Sequence, residues 1–306
     1  MLAAEQAGDA LEACEKAMDM ARDMEDKRLE IDVLHMTGGV HMVRGDWERA
    51  MFQMEDALSL AQELEDEEDE AAAAQGIAFV HLHRGELAEA SRRAEEAGGL
   101  FAKIESKRGE AGALLLAATS CSLRGAVDEA VEKCLQAQDL FRAGQDLCGE
   151  GDACAVLAEL HASKREFDAA VQAAERAVEA ARAHGSSRRE AEALRLLTQV
   201  HLDARHFQQA EHAAAKAKQL ATLAEDRREM TCAQLLLTQV YLAAGADEEV
   251  SEKGPHPLER ALRSATEAVT LSSRAGDRVL VAAARLARAR LLSMTGRLHD
   301  AQRSAE

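Results

Sequence analysis

Apolar residues along this chain recur at helical spacing, and the helices they predict come in pairs. Between Glu30 and Met42, the positions Ile31, Leu34, Gly38 and His41 fall at i, i+3, i+7 and i+10, one face of a helix. That stretch ends at Arg44-Gly45-Asp46, where glycine suits the left-handed conformation that closes a helix. A second amphipathic stretch opens at Trp47 and would end at a polar turn of the kind seen at Glu25-Asp26-Lys27-Arg28, Ser106-Lys107-Arg108-Gly109 and Ser186-Ser187-Arg188-Arg189. The next first helix then begins.

The pair repeats every 40 residues. One alanine column reads Ala10, Ala50, Ala90, Ala130, Ala170 and Ala210, and continues after an 11-residue insertion as Ala261 and Ala301. A second column, seven residues on, is alanine throughout: Ala17, Ala57, Ala97, Ala137, Ala177, Ala217 and Ala268. On the first helices another column holds small residues, Gly38, Ala78, Ala118, Ala158, Thr198, Thr238 and Ala289. Small side chains in fixed register let antiparallel helices approach to the short end of the usual ~8–10 Å. A hairpin of this kind cannot bury both faces alone, so its neighbours must stack on it.

Composition narrows the picture further. Aromatics make up 3% of the chain, prolines number two and asparagine is absent, while 47% of the residues are hydrophobic. Alanine, leucine and glutamate favour helix, and the β-branched and aromatic residues a sheet needs are scarce. The net charge of −18 argues against a general nucleic-acid binder, and no apolar run is long enough to span a bilayer. The charge is uneven. Residues 1–70 carry six basic and 21 acidic residues, seven of the acids lying between Glu63 and Glu70, whereas the remainder is nearly balanced. A partner that is basic where it meets the N-terminal end is expected, and because neither end shows a polar capping helix, end-to-end self-association is a further expectation. Six cysteines without a C-x-x-C pair read as small buried hydrophobes in a reducing, cytoplasmic setting.

The order of small residue, turn glycine, aromatic or leucine, alanine, and a second alanine seven later resembles the tetratricopeptide repeat family over essentially the whole chain. The 40-residue period exceeds the family's common ~34, and the family's helix-ending proline is missing. Gly45-Asp46-Trp47-Glu48-Arg49-Ala50 is similar to the turns of the longer, kinesin light chain type repeats. The resemblance implies an all-α, right-handed superhelical solenoid of about seven helix-turn-helix repeats. It would form one domain over 1–306, with a half-repeat at each end and an inserted loop at about 246–257. It also implies a non-enzymatic scaffold or adaptor that binds a peptide or helical segment of a partner protein. The alternative is a structural spacer or an autoinhibitory or regulatory sensor segment of a larger multidomain protein.

In that family the first helix of each pair lines the concave groove. Positions i, i+4 and i+7 of that face give the candidate partner-binding residues His35, Met42, Phe79, Leu82, Thr119 and Ser122, followed by Glu159, Arg195, Gln199, Leu202, Gln239 and Leu242. Family members that clamp a terminal carboxylate use Asn and Lys at such positions. This chain has neither there, so an extended or helical segment with apolar anchors is expected instead.

No catalytic constellation stands out. His41, His81, His161 and His201 share one repeat position, with Cys121 and Tyr241 in the same column. Their expected role is a half-buried polar aromatic rather than a metal ligand, because residues one repeat apart lie too far from each other to share one ion. Cys121 and Cys134 flank one turn and are expected to be buried thiols. The sequence contains no H-E-x-x-H, Walker A, G-x-S-x-G or G-x-G-x-x-G. No metal, cofactor or enzyme activity is expected.

Overall fold

A computed structural model of the chain describes residues 2–245 and 256–305, and among these residues there are fifteen α-helices and no strand. The chain divides into two compact units, Met1–Ala153 and Cys154–Glu306. The first holds α1 (Leu2–Asp23), α2 (Lys27–Arg44), α3 (Trp47–Leu64), α4 (Glu67–His83), α5 (Leu87–Lys103), α6 (Lys107–Leu123) and α7 (Val127–Ala143). The division falls inside α8 (Leu147–Ser163). The second holds α9 (Phe167–His184), α10 (Ser187–Asp203), α11 (Phe207–Leu223), α12 (Arg227–Gly245), α13 (Pro257–Ala275), α14 (Arg278–Met294) and α15 (Leu298–Ala305). Even-numbered helices from α2 onward are the first members of the pairs, and odd-numbered ones the second. Of the insertion placed at 246–257, positions 246–255 lie outside the described residues. Its last residue belongs to a helix, not a loop: Pro257 is the first residue of α13, where its missing N–H costs nothing.

The alanine columns are the core. Ala50, Ala90, Ala130, Ala170, Ala210 and Ala261 are fully buried, as are Ala57, Ala97, Ala137 and Ala268. Ala10, Ala17 and Ala301 are half-buried. Opposite them the small column leaves room. A β-carbon on Gly38 would collide with the Met54 side chain and lie 3.7 Å from the Ala50 carbonyl oxygen, so α2 and α3 meet across this spot. Bulk is supplied at the flanks, by Ile31 and Leu34 against Ala57 and Ala61, and by Ile77 and Val80 against Met51 and Met54.

Among the described residues each turn is closed by one left-handed residue. After first helices it is Gly45, Gly85, Gly125 or Gly296, but also Arg165 and Arg205. After second helices it is Glu25, Glu65, Glu105, Gln145 or Glu225, with Gly185 and Gly276 in the same column. The following residue caps the next first helix in most repeats, Ser106 before α6 being an exception. Asp26, Asp66, Asp226 and Asp277 each accept two backbone N–H bonds from the first turn, and Ser186 accepts one. Each such cap contributes ~1 kcal/mol.

Consecutive helices are spatial neighbours. Within each unit the first helices also approach one another directly, α2 with α4 and α4 with α6, α10 with α12 and α12 with α14. Within each unit, among the described residues, no two second helices bring their backbones as close. They reach each other through side chains, as in Lys133–Glu95 (2.9 Å) and Lys218–Glu267 (2.7 Å). First helices therefore form the tight side of each stack and second helices the open side.

Candidate functional site

The residues expected to meet a partner sit on the tight side, and their exposure follows the repeat. At the central register Phe79, Glu159, Gln199 and Gln239 are exposed, and Thr119 is half-buried with its hydroxyl donating to the Leu115 carbonyl oxygen (2.8 Å). The flanking His35, Met42, Leu82, Ser122, Arg195, Leu202 and Leu242 are half-buried. Two of these flanks serve the core as well. Met42 packs beside Ala50 and Ile77, and Leu242 beside Ala261 and Leu291.

Several polar members of the row are already engaged. Arg195 donates to both carboxylate oxygens of Glu229, 34 residues on, at 3.0 and 3.3 Å. At the same spacing His35 faces Asp69. Burial holds the His35 imidazole below its ordinary range against the pull of Asp69, and burial raises the Asp69 carboxyl. Gln199 donates to Asp203 (3.0 Å), and desolvation raises the Glu159 carboxyl although the residue as a whole is exposed. Phe79 joins a small aromatic group: its ring meets His83 at 4.4 Å, and His83 stacks on Trp47 at 4.7 Å with the planes 4° apart.

The histidine column is buried to half-buried, and it has a partner that spacing alone did not suggest. Nδ1 of His81 lies 2.5 Å from Glu86, Nδ1 of His161 lies 2.7 Å from Glu166, and Nδ1 of His41 lies 3.8 Å from Asp46. The carboxylate stands just before the second helix and turns back to the histidine five residues earlier instead of capping its own helix. In His201 that partner is replaced by His206, with ring centres 5.8 Å apart, and the His201 Nδ1 has no hydrogen-bond partner. Among the described residues no three His, Cys, Asp or Glu side chains are placed to hold a metal ion. Cys121 and Cys134 are both free and fully buried.

The acidic tract is largely structural. Asp66 caps α4, Glu63 pairs with Lys27 (2.7 Å), Glu70 accepts from Gln62 (3.1 Å), and the carboxylates of the first turn of α4 complement its helix dipole. Lys133 on α7 is four-fifths buried and bridges to Glu95.

The open side carries features that the sequence did not reveal. Clefts lie between consecutive second helices over the first helix between them: α3 and α5 over α4, α9 and α11 over α10, and α13 and α15 over α14. None of the twelve expected partner-binding residues lines these three clefts. No described helix is long and apolar enough to cross a membrane.

The sequence matches no protein-family model and no curated protein. Solved structures do match. A signal transduction ATPase with numerous domains, carrying a tetratricopeptide repeat sensor, from Pyrococcus horikoshii superposes with a TM-score of 0.69 at 16% identity, over 91% of this chain and 44% of that one. A Rap protein complexed with Competence and Sporulation Factor gives 0.59 at 16%, over 92% of this chain and 81% of the other. Nearly identical TPR-like repeats of kinesin light chain description from Podosopora anserina give 0.54 at 16%, over 65% and 97%. Identity at this level speaks for the fold alone, and the fold is a tetratricopeptide-type helical repeat.

Proposed function

We propose that the chain is a non-enzymatic interaction array that holds a peptide or helical segment of a partner protein along its first helices. The observation that carries this reading is the 40-residue register on the tight side of each unit, where Phe79 in the first and Glu159, Gln199 and Gln239 in the second are exposed. Closely packed helices hold these positions in register, so binding does not have to order their backbone. The Rap protein of like fold, which is complexed with Competence and Sporulation Factor, supports a role in binding. The acidic excess of residues 1–70 suits a partner segment that is basic where it meets the first unit.

A second reading, a sensor or regulatory segment of a larger multidomain protein, is favoured by the ATPase likeness, in which the matching portion is 44% of a longer chain.

The test is differential capture. Immobilised wild-type chain, Phe79→Asp, Leu82→Asp and Gln199→Ala are compared with Glu132→Ala, an exposed change on the second helix α7. Loss of the retained partner in the row variants with retention in Glu132→Ala is the expected result. The opposite pattern would overturn the assignment.

A further inference from the structure

In the Cys154–Glu306 unit, α9 and α11 open a cleft of about 580 Å³ over α10. Its floor is apolar, built by Val178, Leu194 and Leu197. Its α9 wall is charged and sorted by sign, while the α11 wall is mostly neutral, with Gln208, Gln209 and His212. On α9 the order is Glu175, Glu179, Arg182, and Lys216 of α11 joins the basic end. Seven residues of helix put about 10 Å between Glu175 and Arg182.

The two ends differ in how far the fold neutralises them. Arg182 Nε lies 3.0 Å and Lys216 Nζ 3.7 Å from the same oxygen of Glu190, so two cations share one carboxylate and a positive charge is left over. Glu175 and Glu179 are exposed, one turn apart, and in no ion pair among the described residues. Like charges at that spacing repel each other. Beside the floor, His201 is 93% buried with an unpartnered Nδ1, a second polar group the fold leaves unanswered. The corresponding cleft over α4 is different. There Glu96 is paired with Arg92 and Arg93, and Glu95 with Lys133.

We propose that the α9–α11 cleft is a second docking surface, for a peptide segment that places a cationic side chain between Glu175 and Glu179 and an anionic side chain at Arg182 and Lys216. An apolar residue between the two charges rests on Leu194 and Leu197. The surface lies on second helices, so it stands independently of the row on the first helices.

The midpoint of Glu175 and Glu179 lies about 7.5 Å along α9 from Arg182, a span an extended segment covers in two residue steps with both side chains on one face and the residue between them on the other. The probe is therefore a blocked six-residue peptide carrying Arg and Glu two positions apart with Leu between them, alongside a copy in which Glu is replaced by Ala. Both are titrated calorimetrically into the full chain, Glu175→Gln/Glu179→Gln and Lys216→Gln. Thermal melting checks that the variants keep the wild-type fold, as surface positions should. For the Arg/Glu peptide, Kd should rise by about fivefold with each protein change, the size of an exposed ion pair. The Arg/Ala peptide should respond to the glutamate changes alone. Binding of the Arg/Glu peptide should persist in Phe79→Asp, which separates this surface from the first-helix row. Three results overturn the proposal: no measurable binding of the Arg/Glu peptide, one Kd for all three proteins, or insensitivity of that peptide to Lys216→Gln.

Discussion

The ring of Phe101 on α5 occupies the space where Gly109 on α6 has no side chain; a β-carbon there would approach the ring to under 3 Å. Phe141 and Gly149 repeat the arrangement one period later. Elsewhere in the same two columns the sizes are exchanged, as Ala61 with Asp69 and Ala221 with Glu229. Gly109→Ala should therefore destabilise the chain. Alanine gains ~1 kcal/mol of helix propensity over glycine, but overpacking against a ring that is 6% exposed costs ~1–3 kcal/mol. Phe101→Ala combined with Gly109→Asp recreates the Ala61–Asp69 pair and should recover part of the loss. Denaturant midpoints decide; an unchanged midpoint for Gly109→Ala would refute the packing argument.

The fully buried alanines should be intolerant of size. Ala130→Leu and Ala170→Leu are each expected to cost ~1–3 kcal/mol, while Ala215→Leu on the exposed face of α11 should stay within about 0.5 kcal/mol. Equal melting temperatures for the two classes would remove the anchor columns from the core.

Acid should weaken the fold through its buried histidines. Burial lowers His35, His41 and His201 from the ordinary 6.5, with Asp69, Asp46 and, for His201, the neighbouring His206 as the nearby groups. The unfolded chain then binds protons that the folded chain refuses, so stability is complete above about 6.5 and falls as the pH drops below it. A melting temperature that declines from pH 7.5 to 5.5, and declines less in His201→Gln, is the expected outcome. A flat profile would contradict it.

Thiol reactivity should follow burial. The Cys134 thiol is pushed up to about 12 by desolvation, so almost no thiolate exists near neutral pH. Iodoacetamide on the native chain should label the half-buried Cys148 and Cys232 well before Cys134, and denaturation should equalise them. Mass spectrometry showing Cys134 labelled first would count against this.

Sequence reasoning reached the helix pairs because burial is strict at Ala50 or Ala90, and strict burial at a close crossing permits few residue types. The glycine turns were legible for the same reason, since Gly45 and Gly85 are the cheapest residues at positive φ. The polar turns after second helices were legible too, but not their left-handed residues Glu25, Glu65 and Glu105, because nothing in a glutamate announces a left-handed backbone; the backbone bonds closing the turn, such as Asp66 N–H to the Ala61 carbonyl (3.0 Å), hold it there. The His81–Glu86 pair spans five residues across a turn, a spacing that belongs to no regular face. The clefts on the open side come from contacts that second helices do not make, and the amphipathic pattern within a single helix does not record them.

The exchange of size between Phe101, Gly109 and their counterparts gives the units of the first half a fixed order. Removing residues 106–145 would join Phe101 to Gly149 and keep ring and gap matched. Removing 66–105, an excision of the same length and phase, would join Ala61 to Gly109 and leave a hole the size of a phenyl ring. Copies that look interchangeable by length and turn are thus keyed at their joints, and only some splices of this chain would close without a seam.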